Sequence, residues 1–269
     1  MKKYRARTKA ILQTWAKKTP CTYYVTDTDS GDSYNTINLG PKTYEQLPEK
    51  SYYMYKYINE KFINEKKWIV KIDDDTYLRL DRLAKVLSGY DYKKAWYLGD
   101  YKTLSKAFKV DMRWLSGSTV VLSQKCVKEL MAFLETDKGK DLYFSMGAGE
   151  DISLGECLSQ LDILPTHMPG IFCKPIERTF RDMENLVSVS TLPPLSLLML
   201  HSAYMIDRKL VYKAFTFLDR KYRRIWHYLE VRSPFLEALY LASTAFIINP
   251  ILYACLCIME NFRRKESQG

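Results

Sequence analysis

An apolar run of strand length that ends in three consecutive carboxylates constrains this chain more than any other stretch. It covers residues 68–80, Trp-Ile-Val-Lys-Ile-Asp-Asp-Asp-Thr-Tyr-Leu-Arg-Leu. Trp68, Ile69, Val70 and Ile72 are aromatic or β-branched and nearly unbroken by charge, which predicts a buried strand. Asp73, Asp74 and Asp75 repel one another and cannot all be buried without partners. Carboxylate oxygens suit a hard divalent cation. The same residues also suit an acidic turn before the next helix, with Asp75 or Thr76 as its N-cap. On these residues alone the two readings stand level.

Around that stretch the pattern alternates. Residues 4–18 read as a basic helix with Ile11, Leu12 and Trp15 on one face, stopped by Thr19-Pro20. Residues 21–26 read as a short strand and 27–33 as a turn. Pro48 opens a helix to Phe62 that places Met54, Ile58 and Phe62 on one face. Leu80, Leu83, Ala84 and Leu87 predict a helix ended by Gly89. Residues 95–98 form a second apolar strand, 102–111 a loop or hairpin, and 114–122 a third strand. Ser123 caps a helix carrying Val127, Leu130, Met131 and Leu134. Gly149 precedes a helix that begins at Glu150-Asp151 and carries Leu154, Leu158 and Leu161. Leu195 to Leu200 is an apolar, strand-like run ending at His201. Strands alternating with helices predict an α/β domain whose central sheet is mostly parallel and flanked by helices.

The formal charge is +10, but the basic residues are spread along the chain and no nucleic-acid motif accompanies them, so nucleic acid is not an expected partner. Residues 206–234 form a basic helical connector. From Phe235 to Ile258, 19 of 24 residues are apolar, enough for a helix to cross a bilayer of about 30 Å. A membrane helix is therefore expected over 235–259, followed by a basic tail over 260–269. Cys21, Cys126, Cys157 and Cys173 allow two disulfides in an oxidising compartment, or four free thiols. Cys255 and Cys257 fall in the apolar tail.

Three places carry chemistry. Ligands of open α/β sheets sit beyond the carboxyl ends of strands, where Asp73, Asp74 and Asp75 fall. Glu150 and Asp151 open a helix after glycine, either complementing its dipole or offering one carboxylate as a general base. His201 follows an apolar run as a core residue or a ligand.

These residues together resemble the Fringe-like β1,3-glycosyltransferases and, within that family, the core 1 β1,3-galactosyltransferases. Ile72-Asp73-Asp74-Asp75-Thr76-Tyr77 is similar to the family's DxD segment. Arg7 to Trp15 resembles its basic helix ending in Thr-Trp. Leu80-Asp81-Arg82-Leu83, Tyr97-Leu98-Gly99, Trp114-Leu115-Ser116-Gly117 and Glu150-Asp151-Ile152-Ser153-Leu154-Gly155-Glu156-Cys157 resemble further motifs in the same order. The resemblance covers roughly residues 5–205, giving a glycosyltransferase domain over 1–205. The family's first strand precedes the basic helix, so the sheet is expected to lack it. Ser118-Thr119-Val120 stands where the family has Gly-Ala-Gly, and Cys173-Lys174-Pro175 where it has a His-Pro element. The tail motif Asn249-Pro250-Ile251-Leu252-Tyr253 resembles the last helix of a rhodopsin-like receptor.

The resemblance implies a GT-A-type fold and an inverting transferase that uses a UDP-sugar and Mn²⁺. It implies that Asp73 and Asp75 hold metal and nucleotide, that Asp74 supports them, and that His201 is a late metal ligand. It implies Asp151 as the base that deprotonates the acceptor hydroxyl, Glu150 as its support, and Trp114 and Gly117 as pocket lining. The implied partners are a UDP-hexose with galactose favoured, a glycoprotein or glycan acceptor, the membrane, and a second copy of the chain. The implied location is the lumenal side of Golgi or endoplasmic reticulum membrane. The other reading of the departures is a non-catalytic, membrane-bound relative acting as a binding or chaperone-like protein.

Overall fold

In the computed structural model, the strand that leads into the acidic triplet pairs with the longest of the described strands. The structure describes residues 2–19, 21–26, 35–40, 46–103, 113–145, 149–172, 186–190 and 201. All lie in the first of two compact units, Met1–Arg208 and Lys209–Gly269. Residues 104–112, Cys173, the run 195–200, the connector 206–234, the apolar segment 235–259 and the tail 260–269 lie outside the described residues.

The chain opens with helix α1 (Lys2–Gln13) and one 3₁₀ turn (Trp15–Lys18). Strands β1 (Tyr24–Thr26) and β2 (Thr36–Asn38) form a small parallel pair. There follow α2 (Leu47–Lys61), β3 (Trp68–Ile72), β4 (Tyr77–Leu78), α3 (Leu80–Leu87), β5 (Tyr97–Thr103) and β6 (Arg113–Ser123). Helices α4 (Gln124–Leu134), α5 (Asp137–Ser145) and α6 (Glu150–Ser159) lead to β7 (Pro165–His167), β8 (Ile171–Phe172) and β9 (Ser188–Val189).

The main sheet has the order β3-β6-β5-β7, and β4-β9-β8 make a second sheet. The expectation of a mostly parallel sheet is corrected here. β6 runs antiparallel to both neighbours, β3 and β5, and only β5 and β7 pair in parallel within the main sheet. The strands β5 and β6 are separated by only nine residues, 104–112, fewer than the dozen or more a parallel crossover requires. The expectation of a buried strand at 68–72 also needs correction. β3 is half-buried along its length because it is the sheet edge.

The core lies where α2, α4 and α6 meet one face of that sheet. Val127, Leu130, Met131 and Leu134 of α4 are buried as their spacing predicts, and Ser123 caps the helix by accepting from the Cys126 amide at 3.2 Å. In α2 the buried face differs from the predicted one. Pro48, Ser51, Tyr52 and Tyr55 point inward, while Met54, Ile58 and Phe62 are half-buried. The inward Ser51 meets a partner from α5, its Oγ lying 2.7 Å from Tyr143 OH. Cys126 and Cys157 are buried thiols and Cys21 is an exposed one, so none of the three forms a disulfide. Packing among apolar neighbours, rather than cross-linking, accounts for the two buried ones.

Candidate active site

The triplet is the turn that carries the chain from the main sheet into the second one. The Asp73 amide extends the β3–β6 ladder by donating to Ser118 O at 3.1 Å, and the Thr76 amide closes the turn on Asp73 O at 3.2 Å. Thr76 is fully buried, its hydroxyl donating to Ser118 O, and its own carbonyl accepts from the Trp15 indole at 3.0 Å. Ser118, one of the residues that replace the family's small segment, thus anchors the turn through its backbone. The helix-cap alternative is settled against. α3 starts only at Leu80, behind β4, and neither Asp75 nor Thr76 is its N-cap.

Each carboxylate of the triplet meets a cation. Arg7 Nη1 of α1 donates to Asp74 Oδ1 at 2.9 Å and stands 3.8 Å from Asp75 Oδ2. Lys71 lies in β3 two residues before Asp73, so strand alternation puts both side chains on one face. Its ammonium donates to Asp73 Oδ1 at 2.7 Å, to Glu150 Oε1 at 2.9 Å and to Gly117 O at 2.6 Å. An ammonium has three hydrogens, and each finds an acceptor here. Burial disfavours the Lys71 charge, but the Asp73 and Glu150 carboxylates outweigh it and hold the lysine more firmly protonated than usual.

α6 brings the second pair of carboxylates to the same place. Gly149 precedes the helix at φ +120° and ψ 153°, a backbone that side-chain-bearing residues rarely adopt. A Cβ there would also sit 3.1 Å from Asp151 Oδ1. Gly149→Ala is expected to destabilise the domain by about 1–3 kcal/mol. Thermal denaturation followed by circular dichroism should show a melting point lower by several degrees; an unchanged one removes the strain argument.

Glu150 and Asp151 are neighbours whose pKa values are pushed in opposite directions. Burial alone would raise the Glu150 pKa, yet the Lys71 charge and hydrogen bond more than reverse this, and the group lies below its ordinary value. Asp151 is raised, first by burial and then by the adjacent Glu150 charge, against opposing hydrogen bonds from the Ile152 and Gly117 amides. Those bonds are 3.0 Å to Oδ1 and 3.3 Å to Oδ2. Carboxylates pushed apart in this way identify the locked partner and the one available to take a proton.

The structure therefore gathers Asp73, Glu150, Asp151 and Gly117 around Lys71. A Cβ on Gly117 would lie 3.3–3.4 Å from Lys71 Nζ, Asp151 Cβ and Glu150 Oε1, so this glycine sits inside the cluster. Trp114 is half-buried and runs against α6, where a Cβ on Gly155 would lie 2.6 Å from its own. His201 Nδ1 lies 3.1 Å from the OH of Tyr77, which follows the triplet in β4. Among the described residues no three His, Cys, Asp or Glu side chains are drawn together as a metal group. What remains is a pair of hard carboxylates, Asp73 and Asp75, with side chains 43% and 21% exposed. Two carboxylates suit an ion whose other ligands are phosphate oxygens and water.

Sequence reasoning missed Lys71 and Arg7. Lys71 was legible: a lone charge inside an apolar strand, on the same face as Asp73, needs a buried anionic partner. Arg7 was not, because its contact spans 67 positions of sequence.

A family model described as Fringe-like matches residues 1–191, well over half of the chain. The chain belongs to the Fringe-like family. A beta-1,3-glucosyltransferase of Homo sapiens is 30% identical over 164 residues, 59% of this chain and 31% of that relative. A glycoprotein-N-acetylgalactosamine 3-beta-galactosyltransferase 1 of Xenopus laevis is 26% identical over 164 residues, 59% of this chain and 42% of that relative. A chondroitin sulfate synthase 3 of Homo sapiens is 22% identical over 117 residues, 41% of this chain and 13% of that relative. The chain thus spans less than half the length of these relatives. The family match ends short of His201 and of residues 235–259, and it lends no support to the receptor-helix resemblance of the tail.

Proposed function

We propose that this chain carries the catalytic domain of an inverting β1,3-glycosyltransferase that moves a hexose from a UDP-sugar to a glycoprotein or glycan acceptor. One observation carries the reading: Asp151, held on the Gly117 amide, lies beside a Glu150 paired with Lys71, and burial together with the Glu150 charge raises its pKa from the ordinary aspartate value. The ionised carboxylate of such a group takes a proton from an acceptor hydroxyl, leaving the oxygen to attack the anomeric carbon as the diphosphate departs from the opposite face. Asp73 and Asp75 are the residues that would hold Mn²⁺ against the diphosphate. The ion supplies charge neutralisation for the leaving group. Gly117 lets the β6 backbone approach Asp151, and Trp114 packs beside it along α6. His201, on Tyr77, is a candidate to contact the donor from the second sheet.

The donor is a UDP-hexose. The motif resemblance favours galactose, and the human relative is named for glucose. Action on glycoproteins in the Golgi or endoplasmic reticulum, membrane attachment through 235–259 and pairing with a second copy belong to the same proposal. The test is release of UDP from UDP-galactose and UDP-glucose by the full chain, with an N-acetylgalactosamine-bearing glycopeptide as acceptor, in MnCl₂ or in EDTA. Turnover with one donor, lost in EDTA, is expected. Absence of turnover with either donor under both conditions overturns the reading and favours the non-catalytic, binding-protein alternative.

A further inference from the structure

We propose that Lys71 is the positioning residue of this site, tying Asp73 at the end of β3 to Glu150 at the start of α6 across the Gly117 carbonyl. The donor-side turn and the base-bearing helix turn are then held as one charge-linked unit. This rests on the transferase reading for its catalytic consequence, but the linkage itself stands on geometry. Three acceptors from three separate elements converge on one nitrogen within 2.9 Å, and the lysine side chain is only 14% exposed. A surface lysine satisfies its charge with water and fixes nothing. One buried at a sheet edge with its three hydrogens directed at a turn, a strand and a helix fixes the distance between all three.

The consequence falls on Asp151, the residue after Glu150. The groups that face it are Glu150 on its own helix, Lys71 from β3, Tyr97 from β5, and the Gly117 amide of β6. Tyr97 is buried and its pKa is raised further, so it stays neutral in the working range. The two ionised neighbours therefore act in opposite directions: Glu150 makes Asp151 harder to ionise, and Lys71 makes it easier.

The test compares Lys71→Met, Lys71→Gln and Glu150→Gln with wild type. It uses the pH dependence of kcat/KM for UDP-sugar turnover and, independently of turnover, carbon-13 NMR titration of the Asp151 carboxyl, assigned by Asp151→Asn. Losing the lysine charge should move the acidic limb and the carboxyl titration upward by about one pH unit. It should also lower kcat by roughly a hundredfold, as expected when a reacting group is displaced by about 1 Å. Glu150→Gln should move the same limb downward. A merely structural lysine would lower rates in every variant without opposite displacements, and that result overturns the proposal. Should Lys71→Met fail to fold, Lys71→Gln keeps a donor for Gly117 and carries the same expectation. If wild type turns over no donor, the transferase reading falls while the carboxyl titration still decides for or against Lys71.

Discussion

Replacing Asp151 by Asn is expected to lower the transfer rate by about 10²- to 10⁴-fold, the range associated with loss of a positioned general base. The fold should survive. Asparagine has the same shape as aspartate, but its single oxygen can accept from the Gly117 amide or the Ile152 amide and not both, so one of the two bonds is lost. Removing a carboxylate from beside Glu150 relieves a like-charge contact and so offsets that loss, and the melting point should stay near wild type. The measurement is kcat for wild type and variant beside their melting curves. A variant that keeps wild-type turnover would end the assignment of Asp151 as base. The wild-type pH profile supplies a second check. Activity needs the ionised base, so the rate should climb with pH through the Asp151 pKa. That climb should lie above about 3.9, the ordinary aspartate value, because burial and Glu150 both raise it. Glu150→Ala should behave differently, because it removes the acceptor of the Lys71 hydrogen bond and frees one ammonium hydrogen inside the site.

The positions of these groups were legible to unequal degrees. Local chemistry marked the ends of elements well: Ser123 as a cap, Gly149 ahead of α6, and the apolar run feeding Asp73. Short-range pattern could not report strand direction. β6 reads as an ordinary β-branched strand, and its reversal depends on the partner strands and on the short return from β5. Nor could it choose between a cap and a ligand turn at 73–75. That choice depends on β4, a strand of two residues paired with β9 more than a hundred positions later. The buried face of α2 was misread for a chemical reason. Tyrosine is amphipathic, so periodicity weighted Met54 and Ile58 over Tyr52 and Tyr55, whose rings are the ones packed into the core. Sequence order alone brought Glu150 and Asp151 near the triplet through the resemblance. The physical link between them is Lys71, a residue that no motif singled out.

Asp75→Ala and Asp74→Ala, adjacent on one turn, are expected to separate in what they damage. Asp74 is the close partner of Arg7, at 2.9 Å, whereas Asp75 lies 3.8 Å from the same guanidinium nitrogen. Asp74→Ala should therefore loosen α1 from the turn. The Asp74 side chain is one-third exposed, so solvent screens the pair and the loss should stay near or below about 1 kcal/mol. Asp75 is the more enclosed of the two, at 21% against 34% exposed, and one of the two hard donors proposed to hold Mn²⁺. Asp75→Ala should weaken retention of the ion, read from the electron paramagnetic resonance signal of free Mn²⁺. It should weaken UDP binding in MnCl₂ buffer by roughly tenfold or more, about 1.4 kcal/mol or above by calorimetry. In EDTA, wild type and Asp75→Ala should bind UDP alike, since the substitution then removes nothing that touches the nucleotide through the ion. Asp74→Ala should leave Mn²⁺ retention near wild type and alter the melting curve instead. Equal loss of Mn²⁺ in both variants would mean that Arg7 does not sort the two carboxylates. No loss in either would remove the metal assignment from this turn.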